Sequence, residues 1–248
     1  MPSSAAQRDI PPEIVCRASE MPAHSSEGAA FLVEKPKGKT SRDVVNAIQR
    51  ATGIQKVGHA GTLDPMATGL LIVLVARPAT RLQAAFMHHD KTYEGTMRLG
   101  ERTRSHDANT EVVETVDPSH LTREQIAASC ETHVGAFWQT PPMYSAVKVD
   151  GERLYKKARR GETVDRPPRR VRLEAFDLLD WSPPNLQFQL TCSKGTYVRA
   201  LARDIGADLE VGAHLTALRR TSIGPYRLTS AWALDALVIA LTDEVAHP

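Results

Sequence analysis

The sequence predicts an α+β domain built on a mixed, largely antiparallel sheet flanked by helices. Three observations lead there. The segments Lys91–Leu99 and Leu186–Cys192 alternate apolar and polar residues with the two-residue period of a half-buried strand. The segments Ser41–Ala51 and Val198–Leu209 repeat apolar residues at helical spacing. Strands and helices mix without the short, regular alternation that a doubly wound parallel sheet requires.

Taken in order, residues 1–27 hold no apolar stretch of the signal-peptide kind. They carry Asp9, Glu13, Glu20 and Glu27, which argues against a transit peptide. They are expected to form a disordered leader. Ser41 is expected to cap the first helix, with Asp43 in its first turn, Val44, Ile48 and Ala51 as its apolar stripe and Gly53 as its end. "GHAGTLDPMATGLL" (Gly58–Leu71) then places Asp64 against Pro65, in a turn with glycines on both sides. The unbroken apolar run Leu70–Ala76 fits a strand buried on both faces, and Pro78 breaks it. In "KTYEGTMRLG", Tyr93, Gly95, Met97 and Leu99 share one face. Thr122 and Gln125 form a capping-box pattern for a helix running to about His133. Leu186, Phe188, Leu190 and Cys192 line a strand that leads through Ser193, Lys194 and Gly195 into the helix of Val198, Leu201, Ile205 and Leu209. The division expected is a leader (1–27), a main domain (28–230) and a short helical tail (231–248) containing "SAWALDALVIAL".

Composition narrows the function classes. The chain has 248 residues, 42% hydrophobic and 24% charged, with no apolar run long enough for a membrane span. Cys16, Cys130 and Cys192 are an odd, widely spaced set, which fits a reducing cytoplasm better than a disulfide framework or a zinc site. The net charge is only +2, yet from Gly151 to Arg172 nine basic residues stand against three acidic ones, with Tyr155 and Pro167–Pro168 among them. Such a local field on a nearly neutral chain suits a phosphate backbone. Arg159, Arg160, Arg169 and Arg170 of this segment, and Lys35, are the candidate RNA-backbone contacts.

Standard catalytic motifs are missing. Gly53–His59 lacks the Lys-Ser/Thr of a P-loop, no Gly-x-Gly-x-x-Gly follows a strand, and no Gly-x-Ser-x-Gly elbow occurs. His88, His89 and Asp90 read as a solvated turn, because adjacent side chains diverge. From its local sequence alone, Asp64 reads as a turn aspartate accepting backbone hydrogen bonds.

A resemblance changes that reading. Gly61-Thr-Leu-Asp-Pro-Met-Ala-Thr-Gly69, preceded by Gly58-His59-Ala60, is similar to the catalytic-aspartate motif of the TruB family of tRNA pseudouridine-55 synthases. "EKPKGKTS" (Glu34–Ser41), "KTYEGTMRLGERT" (Lys91–Thr103), "QTPPMYSAVKVDGERLYKKARRG" (Gln139–Gly161), "CSKGTYVRALARDIG" (Cys192–Gly206) and "GAHLTALRRTSIGPY" (Gly212–Tyr226) resemble further family motifs in the family's order. Together they cover about residues 30 to 230.

The resemblance implies the pseudouridine synthase catalytic fold. It also implies an isomerase that detaches uracil from ribose in the T-arm of tRNA, turns the ring and rejoins it through carbon. The implied catalytic group is Asp64, as nucleophile or as stabiliser of the sugar cation. Arg199 resembles the arginine that pairs with that aspartate, and Tyr93 the aromatic that stacks on the flipped uracil. Tyr197 and Leu218 resemble pocket walls, and His59 a histidine near the flipped base. Asp107 is expected in the network of Arg199. No redox step occurs, so no cofactor or metal is implied, and no membrane or obligate protein partner. Two readings stand beside this one: the same isomerisation on another structured RNA, and an RNA-binding folding factor without essential turnover.

Two departures from the family pattern carry expectations of their own. Ser105 replaces a threonine and Thr110 a glycine after the Arg-Leu-Gly strand, which predicts a reshaped loop around Asp107. Only 22 residues follow Tyr226, so the small C-terminal RNA-binding domain of bacterial members is expected to be lacking.

Overall fold

The computed structural model describes residues 9–18, 27–145, 147–149 and 151–246. They fall into two compact units. One comprises the chain up to Tyr93 together with Arg219 onward, and the other is Glu94–Leu218.

In the first unit, Ala29–Lys35 pairs antiparallel with Thr68–Val75, setting Ala29 opposite Val75 and Lys35 opposite Gly69. The run from Leu70 to Val75 reads as unbroken apolar sequence because it feeds two cores. Leu71, Val73 and Val75 point to one, with Phe31, Val33, Val44, Ile48, Leu237 and Leu241. Leu70, Ile72 and Leu74 point to the other, with Leu32, Phe86 and Ile223. Each large apolar side chain so buried contributes about 1.5–3 kcal/mol. This strand is therefore a firm anchor for the Asp64 turn that precedes it.

Thr40, rather than Ser41, caps the helix Ser41–Thr52. Its extended backbone lets its hydroxyl accept from Asp43 N, and the Asp43 carboxylate accepts from Thr40 N in return. Ser41 is thereby left for another task. Val15 and Cys16 are buried and pair in parallel with Ala30 and Phe31, which corrects the leader expectation at these positions. Ile14, Val15 and Cys16 are apolar enough to add an edge strand, a signal outweighed in the sequence by the surrounding acidic residues. Residues 1–8 and 19–26 of the expected leader lie outside the described residues. The expected tail forms the helix Leu234–Ala246, which buries Leu234, Leu237 and Leu241 against the helix Ser41–Thr52.

In the second unit, Asn185–Cys192 lies beside Lys91–Leu99 and forms a hairpin with Arg169–Ser182, whose other flank pairs with the edge strand Gly135–Gln139. The 14-residue strand Arg169–Ser182 was hidden in the sequence by its charge. Val171 and Leu173 are buried while Arg170, Arg172 and Glu174 are exposed, the alternation of a sheet with one wet face. The helix Arg123–Thr132 carries the full Thr122–Gln125 capping box, and Val198–Asp208 packs beside it.

Candidate active site

Asp64 stands in the turn between the strands Val57–His59 and Thr68–Val75. The turn is held at several points. Ser41 Oγ donates to Leu63 O at 3.1 Å and accepts from Leu63 N at 2.9 Å. Asp64 O accepts from Ala67 N at 3.0 Å, and Pro65 O accepts from Gly38 N at 2.9 Å. At the flanks, Arg220 Nη2 donates to Gly61 O at 3.0 Å and Arg220 Nε to Leu70 O at 2.7 Å. Arg220 is 1% exposed. Gly69, at φ +99°, lies so close to Arg220 in the parallel pairing that a Cβ would come within 2.3 Å of Arg220 O. Only glycine combines that backbone conformation with that approach. The fixed backbone leaves Asp64 half-buried on a turn with little freedom.

Lys35 is fully buried, which corrects its expected place on an RNA backbone. Its ammonium donates to Lys39 O at 2.6 Å, to Pro36 O at 2.9 Å and to Pro65 O at 3.4 Å, so it ties the two loops from inside. Burial lowers its pKa to about 8, against the pull of the nearby Asp64 and Asp43 carboxylates; the Arg220 charge lowers it further. His59 is held below the usual histidine pKa by burial and by the Arg220 and Arg42 charges. Its ring is therefore neutral at pH 7, and its buried Nδ1 has no hydrogen-bond partner among the described residues. Tyr93, 9% exposed, sits on the buried face of Lys91–Leu99.

The second unit assembles a different group. Arg199, 4% exposed, donates from Nη1 to Ser105 O at 3.0 Å and from Nη2 to Tyr144 O at 2.9 Å. Its Nε stands 3.5 Å from Asp107 Oδ2. Asp107, 1% exposed, also accepts from Ser105 Oγ at 2.5 Å, Asn109 N at 3.0 Å and Asn109 Nδ2 at 2.9 Å. The two replacements that depart from the family's loop pattern meet here: Ser105 and Thr110 hydroxyls lie 2.8 Å apart, and Ser105 N donates to Thr110 Oγ1 at 3.0 Å. His106, at φ +60°, has its pKa lowered to about 4, first by burial and then by the Arg203, Arg199 and Arg166 charges.

Tyr197 precedes the helix of Arg199 and is gripped through its backbone by the buried Gln139 amide, at 2.8 Å to Tyr197 N and 3.1 Å to Tyr197 O. The Arg169 guanidinium lies 4.5 Å from the Tyr197 ring centroid. Leu218 is buried in the strand Ala213–Ile223. Of the remaining basic candidates, Arg159 lies against the Tyr155 ring and Arg170 is exposed. Arg160 is held by both Glu152 oxygens at 2.8 Å and by Glu162 at 2.6 Å. Its guanidinium is thus exposed and ion-paired within the protein.

With the Asp64 turn described, the comparisons decide the family. The model of the TruB family pseudouridylate synthase (N terminal domain) matches residues 49–198. The chain belongs to the TruB family. A second model, the tRNA pseudouridylate synthase B C-terminal domain, matches residues 199–246. That match starts well before Tyr226 and takes in the helix Val198–Asp208, the strand Ala213–Ile223 and the helix Leu234–Ala246 almost entirely. A tRNA pseudouridine synthase B of Syntrophotalea carbinolica is 46% identical over 214 residues, covering 86% of this chain and 70% of the relative. One of Opitutus terrae is 48% identical over 207 residues, covering 84% of this chain and 86% of the relative. Among solved structures, a Cbf5–Nop10–Gar1 complex matches with TM-score 0.67 at 27% identity, covering 94% of this chain and 60% of the matched one. An archaeal box H/ACA sRNP Nop10–Cbf5 complex matches with TM-score 0.64 at 26% identity, covering 96% of this chain and again 60% of the matched one. The chain thus spans less than two thirds of those structures, and its α+β fold is theirs.

The bracing roles of Arg220, Ser41 and Gln139 were not foreseen from the sequence. For Arg220 a signal existed: Leu218, Arg220 and Ser222 alternate on the buried side of their strand while Ala217 and Arg219 are exposed. An arginine at such a position must find internal partners. No helix among the described residues is long and apolar enough to cross a membrane.

Proposed function

We propose that this protein isomerises uridine 55 in the T-arm of tRNA to pseudouridine, with Asp64 as the catalytic group. The observation that carries the reading is the Asp64 turn, braced by Ser41, Lys35 and Arg220 on a strand buried on both faces. A carboxylate that must meet the sugar at one approach angle needs such fixing. The TruB family membership and the tRNA pseudouridine synthase B relatives support the substrate.

In the reaction, the bond between ribose C1′ and uracil N1 breaks, with Asp64 acting on C1′ by attack or by its charge. The ring turns, C1′ bonds to C5, the C5 proton leaves and N1 takes a proton. Electrons and atoms balance without an outside oxidant. The target base must leave its stack, at a cost of about a few kcal/mol. Stacking on Tyr93 offsets part of that cost, with Tyr197 and Leu218 as walls and neutral His59 near the base. Arg199, held by Asp107, serves as the arginine that keeps the catalytic carboxylate charged. Arg159, Arg169 and Arg170 contribute phosphate affinity. The protein works in the cytoplasm and needs no obligate protein partner.

The test is tritium release from C5-labelled uridine in a T-arm stem-loop. Release at position 55, and none when that base is changed to cytidine with the label elsewhere in the loop, is expected. Release from other structured RNAs but not from this stem-loop would contradict the substrate.

A further inference from the structure

Trp138 is 68% exposed on the edge strand Gly135–Gln139 of the second unit. Tryptophan is the side chain with the most apolar surface to hide, so leaving it in water calls for an occupant. Its surroundings say which. Alternation places Trp138 on the wet face of the sheet, opposite to the buried Gln139. Directly across the antiparallel pair stands Arg170, and across from Ala136 stands Arg172, both exposed. Side chains so opposed have Cβ atoms about 5 Å apart. Ala136, the neighbour on the same strand and face, offers only a methyl group, and the other flank of the strand is open among the described residues. The turn that hydrogen-bonds the Arg172 backbone, through Ser193, carries the exposed Lys194. An indole with one open side is thus presented to solvent beside the exposed Arg170, with the Arg172–Glu174 ion pair and Lys194 further along the same edge.

We infer that Trp138 and Arg170 form a docking platform for the RNA substrate, on which an unpaired base stacks while its phosphate meets the guanidinium. This rests on the RNA substrate proposed above and adds a contact that the catalytic residues do not supply. Indole and base offer matching π-faces, and the neighbouring arginine gives the backbone its charge partner. A protein partner fits less well. A stable protein interface needs a contiguous apolar centre, whereas Trp138 is a lone aromatic beside arginines and an alanine.

The experiment compares wild type, Trp138→Ala, Trp138→Phe and Arg170→Gln for binding to full-length tRNA and to the T-arm stem-loop across a salt series. Turnover at saturating RNA and sedimentation of the free proteins are measured alongside. Trp138→Ala is expected to weaken binding about tenfold to at least one of the RNAs, while Trp138→Phe stays within about threefold of wild type. Arg170→Gln is expected to reduce the salt slope by about one. Turnover at saturating RNA is expected to hold in Trp138→Ala and Trp138→Phe. Wild-type affinity of Trp138→Ala for both RNAs would overturn the inference while active wild-type enzyme left the functional reading intact. So would loss of self-association in Trp138→Ala with RNA affinity unchanged, which would assign the platform to a second copy. Failure of the wild type to bind or modify either RNA would overturn the functional reading, and the inference with it.

Discussion

Replacing Arg220 by methionine tests whether the turn carrying Asp64 is fixed by a buried cation. The wild-type guanidinium donates to Leu70 O at 2.7 Å and to Gly61 O at 3.0 Å while 1% exposed. A hydrogen bond involving a charged group contributes about 1.5–3 kcal/mol. Losing two gives about 3–6 kcal/mol, with methionine filling part of the volume. Against a total stability of about 5–15 kcal/mol the variant still folds, with a Tm lower by about 10 °C at 2–4 °C per kcal/mol. Arg220→Lys keeps the charge but reaches fewer carbonyls, so it should recover about half of the loss. The functional effect should exceed what lost stability explains. A catalytic group displaced by about 1 Å costs on the order of a hundredfold in rate, so kcat should fall far more than KM for RNA rises. Urea unfolding and tritium release under conditions where each variant is fully folded give both numbers. Wild-type kcat in Arg220→Met would refute the clamp.

Two further predictions follow from titration. Lys35, with its pKa lowered to about 8, loses its proton above that pH, and with it a hydrogen-bond donor to the Asp64 turn and a cation near the carboxylate. Activity should decline with an apparent pKa near 8, whereas stability from this group should rise between pH 8 and 10.5, because the unfolded chain then holds the proton more tightly. Tritium release and urea midpoints from pH 7 to 10 check both signs, and an activity still rising at pH 9 would contradict the assignment. His106, lowered to about 4 from 6.5, should cost stability as the pH falls through that interval, since the unfolded state takes the proton first. His106→Asn, which tolerates the left-handed φ of +60°, should lose less stability between pH 7 and 4.5 than wild type in urea titrations.

How much was legible in the sequence depended on whether a signal was local. The Thr122–Gln125 capping box and the apolar run before Val75 announce themselves within a few residues, and the structure has both. The cap at Thr40 was misplaced by one residue because Thr40 and Ser41 have the same chemistry. Their difference lies in a bond from Ser41 to Leu63, 22 residues away. Lys35 was read as a surface cation because lysines usually are, and nothing local reveals three carbonyls converging on it. Arg160 is an exposed cation as read, but its carboxylate partners, though near in sequence, meet it only once the Leu154–Arg159 helix forms. Asp64 itself was visible through family motifs. Its fixing by Arg220, 159 positions from Gly61 along the chain, was a property of the fold.

The most direct test of the account is Asp64→Asn, assayed for tritium release from C5-labelled uridine in a T-arm stem-loop beside a binding titration on the same RNA. The amide keeps the size and removes the charge that the chemistry at C1′ requires. The account predicts release below detection with RNA affinity equal to wild type or tighter, because a carboxylate that repels nearby phosphates is gone. Wild-type release by Asp64→Asn would contradict the assignment of Asp64 and the mechanism built on it.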